Sequence, residues 1–284
     1  MSSRIRLLVD NLLDAGVLTA SSATPALPVA NLQDQLRGKV WRTLGVEQEH
    51  FDLDMGAQGE LCNALALVNH NLTPFGTITI LAGNFPGDDS ALNFEAPAWE
   101  PAFFYGDFVW SDPNYTWGGY LFDRSQFTDP LAIIYFPQAL ARYWRVILHD
   151  PSNPAGYLQA GRAFLGSYFE PQIDLFWPYR FAAPDLSTSK ESLGGQLWTD
   201  LKPKRHEITF TFGLVAPEDT WWGFVQAFRR IGTSRDVIVD PFPDPEEGAR
   251  RFWMRLYGRL KQEPEVSFGR LHRGSFDVTF KESL

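Results

Sequence analysis

Cysteine is almost absent from this chain of 284 residues, which contains one, Cys62. A single thiol cannot form an internal disulfide, and no histidine groups with it at the spacing of a zinc site. We therefore expect no metal site, and a chain that is made in a reducing compartment. Because Cys62 lies within an apolar run, we expect it to be a small buried core residue.

Long apolar runs are also missing. No stretch approaches the roughly 20 apolar residues that cross a bilayer as a helix. The apolar start of the chain meets Asp10 and Asn11, which come too early for the core of a signal peptide. The sequence thus predicts a soluble protein with no membrane insertion.

Positive charge is scarce in most of the chain. Residues 1–200 carry 11 Lys and Arg against 22 Asp and Glu, whereas residues 201–284 carry 14 against 12. Binding to phosphate backbones needs clustered Lys and Arg, so we expect no specific nucleic-acid binding. The uneven charge indicates two modules with different surroundings.

Signatures of catalysis are missing as well. There is no Gly-x-Ser-x-Gly turn or glycine-rich phosphate loop, and His206-Glu207 lacks the second histidine of a zinc protease. Asp52 and Asp54 share one face of a predicted strand and could serve a glycosidase, but Phe51, Leu53 and Met55 make them the solvated face of a half-buried strand. We predict no catalytic residue, no cofactor and no enzymatic activity.

Aromatic residues and strand patterns are what the chain has in excess. Aromatics make up 15% of the sequence, with 10 Trp and 23 Phe. Alternating or continuously apolar runs, bounded by turns, predict strands throughout. These runs are residues 40–43, 51–56, 61–68, 76–81, 131–136, 141–148, 157–166, 205–213, 236–240, 250–260 and 275–280. Residues 12–28 and 182–196 read as loops.

One helix is predicted, over residues 217–231. Pro217, Glu218 and Asp219 favour its start, and Gly232 favours its end. Its apolar residues recur on one face and are expected to anchor it in a core. These anchors are Trp221, Phe224, Val225, Phe228 and Ile231.

A segment rich in aromatic, proline and glycine residues interrupts the strand pattern at residues 84–130. Loops of this length in compact domains are usually functional or form interfaces. Three alternatives stay open for the rings of residues 99–120: burial against a neighbouring subunit or a second domain, stacking on a glycan, or packing within the domain. The candidate contact residues are Trp99, Trp110, Tyr115, Trp117 and Tyr120.

Several sequence stretches resemble the discoidin or galactose-binding-like jelly-roll, in the version found in tail proteins of tailed bacteriophages. They are Phe51–Gly56, the Asn69-His70-Asn71-Leu72-Thr73 turn and Arg142-Tyr143-Trp144-Arg145, after an opening that runs from Asn11-Leu12-Leu13 to Trp41-Arg42-Thr43. The resemblance covers roughly residues 5–168. It implies a jelly-roll β-sandwich that either binds saccharide or braces a baseplate.

Residues 175–284 are similar in layout to the ring-forming domain of distal tail and other tail-tip proteins. The shared order is a strand, a helix, a short strand ending at Asp240-Pro241, and closing strands up to Phe276–Glu282. This resemblance implies a β-barrel or β-sandwich domain with one α-helix, assembled as a ring of three or six copies. We therefore expect a mainly β protein with domains at residues 1–170 and 171–284.

The predicted function is that of a structural subunit in a bacteriophage tail tip or baseplate, at the distal end of the tail tube. Its expected partners are copies of itself, tail-tube and tail-hub proteins, and a saccharide of the host surface. The expected location is the virion, after synthesis in the host cytoplasm. The alternative function is a carbohydrate-binding module that takes part in adsorption to the host surface.

Overall fold

The chain folds into two compact units in the computed structural model. The structure describes residues 4–100, 130–172, 176–202, 204–216, 218, 223–247, 249–268 and 273–283. The sandwich unit comprises residues 10–169 and 242–255, and the sheet unit comprises residues 1–9, 170–241 and 256–284. The change of unit at 169/170 lies beside the expected boundary at 170/171, while residues 1–9 fall in the sheet unit and residues 242–255 in the sandwich unit.

Strands are numbered in chain order, and β1 (Arg6–Leu8) belongs to the sheet unit. The sandwich unit contains β2 (Val17–Ala20), β3 (Trp41–Arg42), β4 (Glu49–Asp54), β5 (Glu60–Val68), β6 (Thr77–Gly83), β7 (Leu92–Pro97), β8 (Leu131–Ala141), β9 (Tyr143–His149), β10 (Gln159–Ala160) and β11 (Ala163–Gly166). They form a five-stranded sheet in the order β2-β4-β9-β6-β7, a three-stranded sheet β11-β5-β8 and the pair β10-β3. All pairings are antiparallel.

Alternation along the strands builds the core of the sandwich. In β4, Phe51 and Leu53 are buried while Asp52 and Asp54 lie on the outer face, as the sequence pattern predicts. Trp41 packs edge-on against Phe51 at 5.8 Å between ring centroids, and both rings are fully buried. Burying each such side chain stabilises the fold by about 1.5–3 kcal/mol. The predicted mainly β fold, with a jelly-roll sandwich, is confirmed.

The sheet unit contains β12 (Phe176–Ala182), β13 (Thr188–Glu191), β14 (Leu197–Asp200), β15 (Glu207–Val215), β16 (Val237–Asp240), β17 (Leu256–Leu260), β18 (Ser267–Phe268) and β19 (Gly274–Glu282). Its seven-stranded sheet has the order β1-β16-β17-β19-β15-β12, and β18 also pairs with β19. β13 and β14 form a separate hairpin. The register Leu7↔Val239 places the start of the chain in this sheet.

The helix α1 (Gln226–Ile231) packs on this sheet and follows a π-helical turn at residues 223–225. The Phe224 ring lies 4.6 Å from that of Phe212 and 4.9 Å from that of Phe276. Phe228 and Ile231 are buried as well. Three predicted anchors therefore lie in the core, whereas Val225 is only half-buried and Trp221 lies outside the described residues.

Three local predictions were wrong. Residues 249–254 form the short helix α2 (Ala249–Met254), so the strand expected at 250–260 begins only at Leu256. The loop expected at 182–196 contains β13. The loop expected at 12–28 contains a 3-10 helix at Leu12–Ala15, which Asn11 caps by accepting a hydrogen bond from the backbone N–H of Leu13.

Candidate functional site

Several connections of the sandwich unit meet at one end, here called the loop end. The registers Thr77↔His149, Thr77↔Pro97 and Val68↔Leu131 put the corresponding strand termini side by side. The loop end therefore consists of residues 42–46, 69–76, 97–100, 130 and 150–159. Glu100 and Pro130, which flank residues 101–129, both lie there. The segment expected at 84–130 is therefore not a single loop: it begins at the opposite end of the sandwich and contains β7, and its residues 101–129 lie outside the described residues.

A buried carboxylate joins two of these loops. Asp150 is fully buried, and its Oδ2 accepts a hydrogen bond from the Thr73 backbone N–H at 2.7 Å. Its Oδ1 accepts another from the Thr73 hydroxyl at 2.9 Å. Asn153 completes the connection, because its Nδ2 donates to the Asn71 carbonyl at 2.9 Å. Hydrogen bonds to a buried charge are strong, so these loops are held in one conformation.

The side chain of Asn71 positions the following segment. Its Oδ1 accepts from the Gln159 backbone N–H at 2.7 Å, and its Nδ2 donates to the Tyr157 carbonyl at 2.9 Å. An amide side chain offers both an acceptor and donors, which explains why one residue can serve both backbone groups. Tyr157 and Gln159 are thereby fixed against the 69–76 loop.

Three half-buried side chains gather beside these loops, and we call them the Arg42 cluster: Arg42, Tyr157 and Gln159. The Arg42 guanidinium carbon lies 4.1 Å from the centroid of the Tyr157 ring. Its Nη2 donates to Gln159 Oε1 at 2.9 Å, across the pairing of β3 with β10. A guanidinium has five N–H donors, so this contact leaves most of its hydrogen-bonding capacity for other partners.

An exposed aromatic ring stands at the tip of the 69–76 loop. The Phe75 side chain is 79% exposed, although the loop beneath it is held by Thr73 and Asp150. Leu44, which lies two residues after Arg42 in the chain, is also exposed. The loop end therefore combines open apolar surface with polar groups in a fixed arrangement.

Trp99 is buried, so its ring does not lie at a surface where it could contact a partner or a glycan. Only 8% of its surface is exposed, its Nε1 donates to the Leu72 carbonyl at 2.7 Å, and its ring lies 5.0 Å from that of His70. Trp99 is a core residue of the sandwich, so packing within the domain is the alternative that applies to it. Trp110, Tyr115, Trp117 and Tyr120 lie outside the described residues.

The carboxylates that the glycosidase alternative would use are both engaged by arginines. Asp52 accepts hydrogen bonds from Arg145 Nε at 2.6 Å and Nη2 at 2.7 Å. Asp54 is paired with Arg142 on the same outer face of the five-stranded sheet. Two-point hydrogen bonds between an arginine and a carboxylate are strong, and this arrangement stabilises the sheet surface.

Other candidate chemistry is limited in the part of the chain that the structure describes. Burial raises the pKa of the Cys62 thiol to about 12, which makes it a poor nucleophile. No group of three or more His, Cys, Asp and Glu residues is arranged to hold a metal among the described residues. No described helix is both long and apolar enough to cross a membrane.

The Arg42 cluster was missed by sequence reasoning. Arg42 and Tyr157 were assigned to two separate strands, and nothing in their local patterns indicated that they meet. The pairing of β3 with β10 brings them together across more than a hundred residues of chain.

No protein family and no curated protein matches the sequence. Among solved structures, the chain is similar to the lectin domain of Lectinolysin complexed with Lewis B antigen (13% identity, 56% of this chain, 96% of the other, TM-score 0.37). It is also similar to a Streptococcus pneumoniae fucose binding module (12% identity, 55% of this chain, 94% of the other, TM-score 0.37). A third similar structure is a chitosan-binding module of a Paenibacillus chitosanase/glucanase (19% identity, 56% of this chain, 96% of the other, TM-score 0.33). All three TM-scores lie below 0.5, so the function of this chain is inferred from its own contacts.

Proposed function

We propose that the sandwich unit is a saccharide-binding module and that its loop end is the binding surface. The observation that carries this proposal is the Arg42 cluster, held by part-buried hydrogen bonds at the same end of the sandwich as the exposed ring of Phe75. A pyranose offers an apolar face of C–H groups and a rim of hydroxyls. Aromatic rings suit the first, and amide and guanidinium groups suit the second.

Preorganisation supports the proposal. Binding a small ligand costs conformational entropy whenever side chains and loops must be ordered. At the loop end, Asn71, Asp150 and Asn153 already tie the loops together through their hydrogen bonds. The proposal keeps the ligand class of the predicted alternative, but it assigns the contacts to Arg42, Phe75, Tyr157 and Gln159.

A glycan array probed with the full chain, followed by calorimetry with the best ligand, tests the proposal. Phe75→Ala is the main variant, because a ring that is 79% exposed contributes little to folding. Phe85→Ala is the matched control, since Phe85 is 62% exposed and lies in the β6–β7 connection at the opposite end of the same sandwich. We expect Phe75→Ala to weaken binding about tenfold or more, which is the loss of about 1–3 kcal/mol expected for a stacking ring.

Tyr157→Ala and Arg42→Met should weaken binding further, while Phe85→Ala should bind as the wild type does. An array with no specific saccharide would overturn the proposal. The same holds for binding that all three loop-end variants leave unchanged.

A second proposal is the predicted role as a ring-forming structural subunit of a tail tip. No comparison adds support to it, but one structural observation favours assembly. Among the described strands, β1 and β12 stand at the two ends of the strand order of the seven-stranded sheet. An edge strand can pair with another chain, and pairing β1 of one copy with β12 of the next is a head-to-tail contact that can close a ring.

Electron microscopy of the purified chain, alone and with tail-tube protein, tests this second role. Rings of three or six copies, stacked on tubes when tube protein is present, would support it. Isolated particles under both conditions would contradict it.

A further inference from the structure

The hairpin of β13 and β14 is exposed on both of its faces. Every residue from Thr188 to Lys202 is exposed, including both strands and the turn that joins them. A two-stranded hairpin that packs on nothing is only marginally stable in water. A partner that packs on this exposed hairpin would therefore stabilise its folded state.

Apolar side chains are concentrated around this hairpin. Of the thirteen exposed large hydrophobic residues among the described ones, five fall within residues 181–201. They are Phe181, Leu193, Leu197, Trp198 and Leu201. Exposed apolar residues scattered singly are ordinary, but a cluster marks an interaction site.

The charges of the hairpin indicate which partner fits. Lys190 and Lys202 are balanced by Glu191 and Asp200, whereas the chain as a whole has a net charge of −9. Two copies of this chain repel each other mainly through residues 1–200, which carry the excess of Asp and Glu. They can approach at the least electrostatic cost through a neutral segment that carries both signs. The neutral hairpin has no electrostatic complementarity to a strongly charged partner, such as nucleic acid or an anionic membrane.

The register places complementary charges on one face. Lys190 pairs with Trp198 and Thr188 pairs with Asp200, so these four side chains share a face of the hairpin. Ser189 and Thr199 lie on the opposite face, where their hydroxyls are 3.1 Å apart. When the first faces of two copies pack on each other across a two-fold axis that lies between them along the Thr188–Trp198 diagonal, Lys190 of each copy meets Asp200 of the other, and the two Trp198 rings meet on the axis.

We propose that this face is a two-fold contact between two copies of the chain. The contact is isologous, so it closes as a dimer and does not extend into a ring. Trp198 supplies the apolar centre, as aromatic residues do at interfaces. The Lys190–Asp200 pairs set the register. This contact is independent of the saccharide proposal, because it uses the sheet unit alone.

Sedimentation equilibrium of the full chain tests the contact. We expect the wild type to dimerise, and Trp198→Ala to weaken dimerisation about tenfold or more. Lys190→Glu and Asp200→Lys should each give monomers, and the double variant should dimerise again because the charges are then exchanged. Phe85→Ala, an exposed aromatic substitution in the sandwich unit, is the control and should dimerise normally.

Three results would overturn the proposal. One is a wild type that is monomeric, or that forms only trimers or hexamers. Another is a dimer that survives Trp198→Ala and both single charge reversals. The third is a double charge variant that stays monomeric. Saccharide binding by the monomeric variants should match that of the wild type, which separates this test from that of the proposed function.

Discussion

Arg142 holds the carboxylate of Asp54 with two hydrogen bonds, from Nε to Oδ1 at 2.8 Å and from Nη2 to Oδ2 at 2.9 Å. The two residues lie 88 positions apart in the chain; Asp54 ends β4, and Arg142 lies between β8 and β9, directly before Tyr143, the strand partner of Asp54. The hydrogen bond from Arg142, followed by that from the Gly56 backbone N–H, lowers the pKa of Asp54 from 3.8 to about 2.

Acid should therefore weaken the fold through Asp54. Because its pKa is lower in the folded state, Asp54 stabilises the protein fully above pH 3.8, and this contribution is lost as the pH falls towards about 2. We expect Asp54→Asn to be less stable than the wild type at neutral pH. Its free energy of unfolding should also change less between pH 3.8 and about 2. Glu95→Gln, at an exposed position of the same sheet, is the control for urea titrations across this range.

Trp99→Ala should destabilise the sandwich unit by about 3–5 kcal/mol, because it removes a buried ring together with its hydrogen bond to the Leu72 carbonyl. Phe75→Ala should change the free energy of unfolding by no more than about 0.5 kcal/mol, since that ring is exposed. Chemical denaturation followed by circular dichroism measures both values. Equal effects of the two substitutions would contradict the placement of Trp99 in the core.

Phe224→Ala should cost about 3–5 kcal/mol, because its ring is fully buried between Phe212 and Phe276. Arg229→Ala, at an exposed position of α1, should cost about 0.5 kcal/mol or less. Denaturant unfolding of the two variants separates a helix that anchors the sheet unit from one that only covers its surface. A Phe224→Ala variant as stable as the wild type would refute the anchoring role.

Cys62 should not react with thiol reagents in the native protein. Its burial raises the pKa to about 12, so almost no thiolate is present at neutral pH, and the side chain is also inaccessible. Labelling with a chromogenic disulfide, monitored with and without denaturant, should show reaction only after unfolding. Rapid stoichiometric labelling of the folded chain would show that the sandwich opens around β5.

Much of the fold follows from local patterns in the sequence. The alternation of Phe51, Asp52 and Leu53 gives both the strand and its buried face, and the spacing of Phe224 and Phe228 gives the packed face of α1. Such patterns report burial of neighbouring residues on one element, so they can be read without knowledge of the partner.

The features that the sequence did not predict depend mostly on contacts between residues that are far apart in the chain. The contact of Arg42 with Tyr157 exists only because β3 pairs with β10, and no periodicity specifies that pairing. Trp99 looked available for contacts because it opens an aromatic segment, yet the Leu72 carbonyl and the His70 ring hold it in the core. The strand predicted at 250–260 was half wrong because short apolar runs suit a helix as well as a strand.

The pairing of β1 with β16 sets an order for folding during synthesis. Leu8 leaves the ribosome early, but its partner Ile238 is translated 230 residues later, a delay of roughly 10–50 s at the usual rate of about 5–20 residues per second. Nearly the whole sandwich unit emerges during that interval and can form its sheets first. The β1 segment must then wait for Ile238 before it can pair, and during this interval a chaperone that shields nascent apolar strands would improve the yield of native protein.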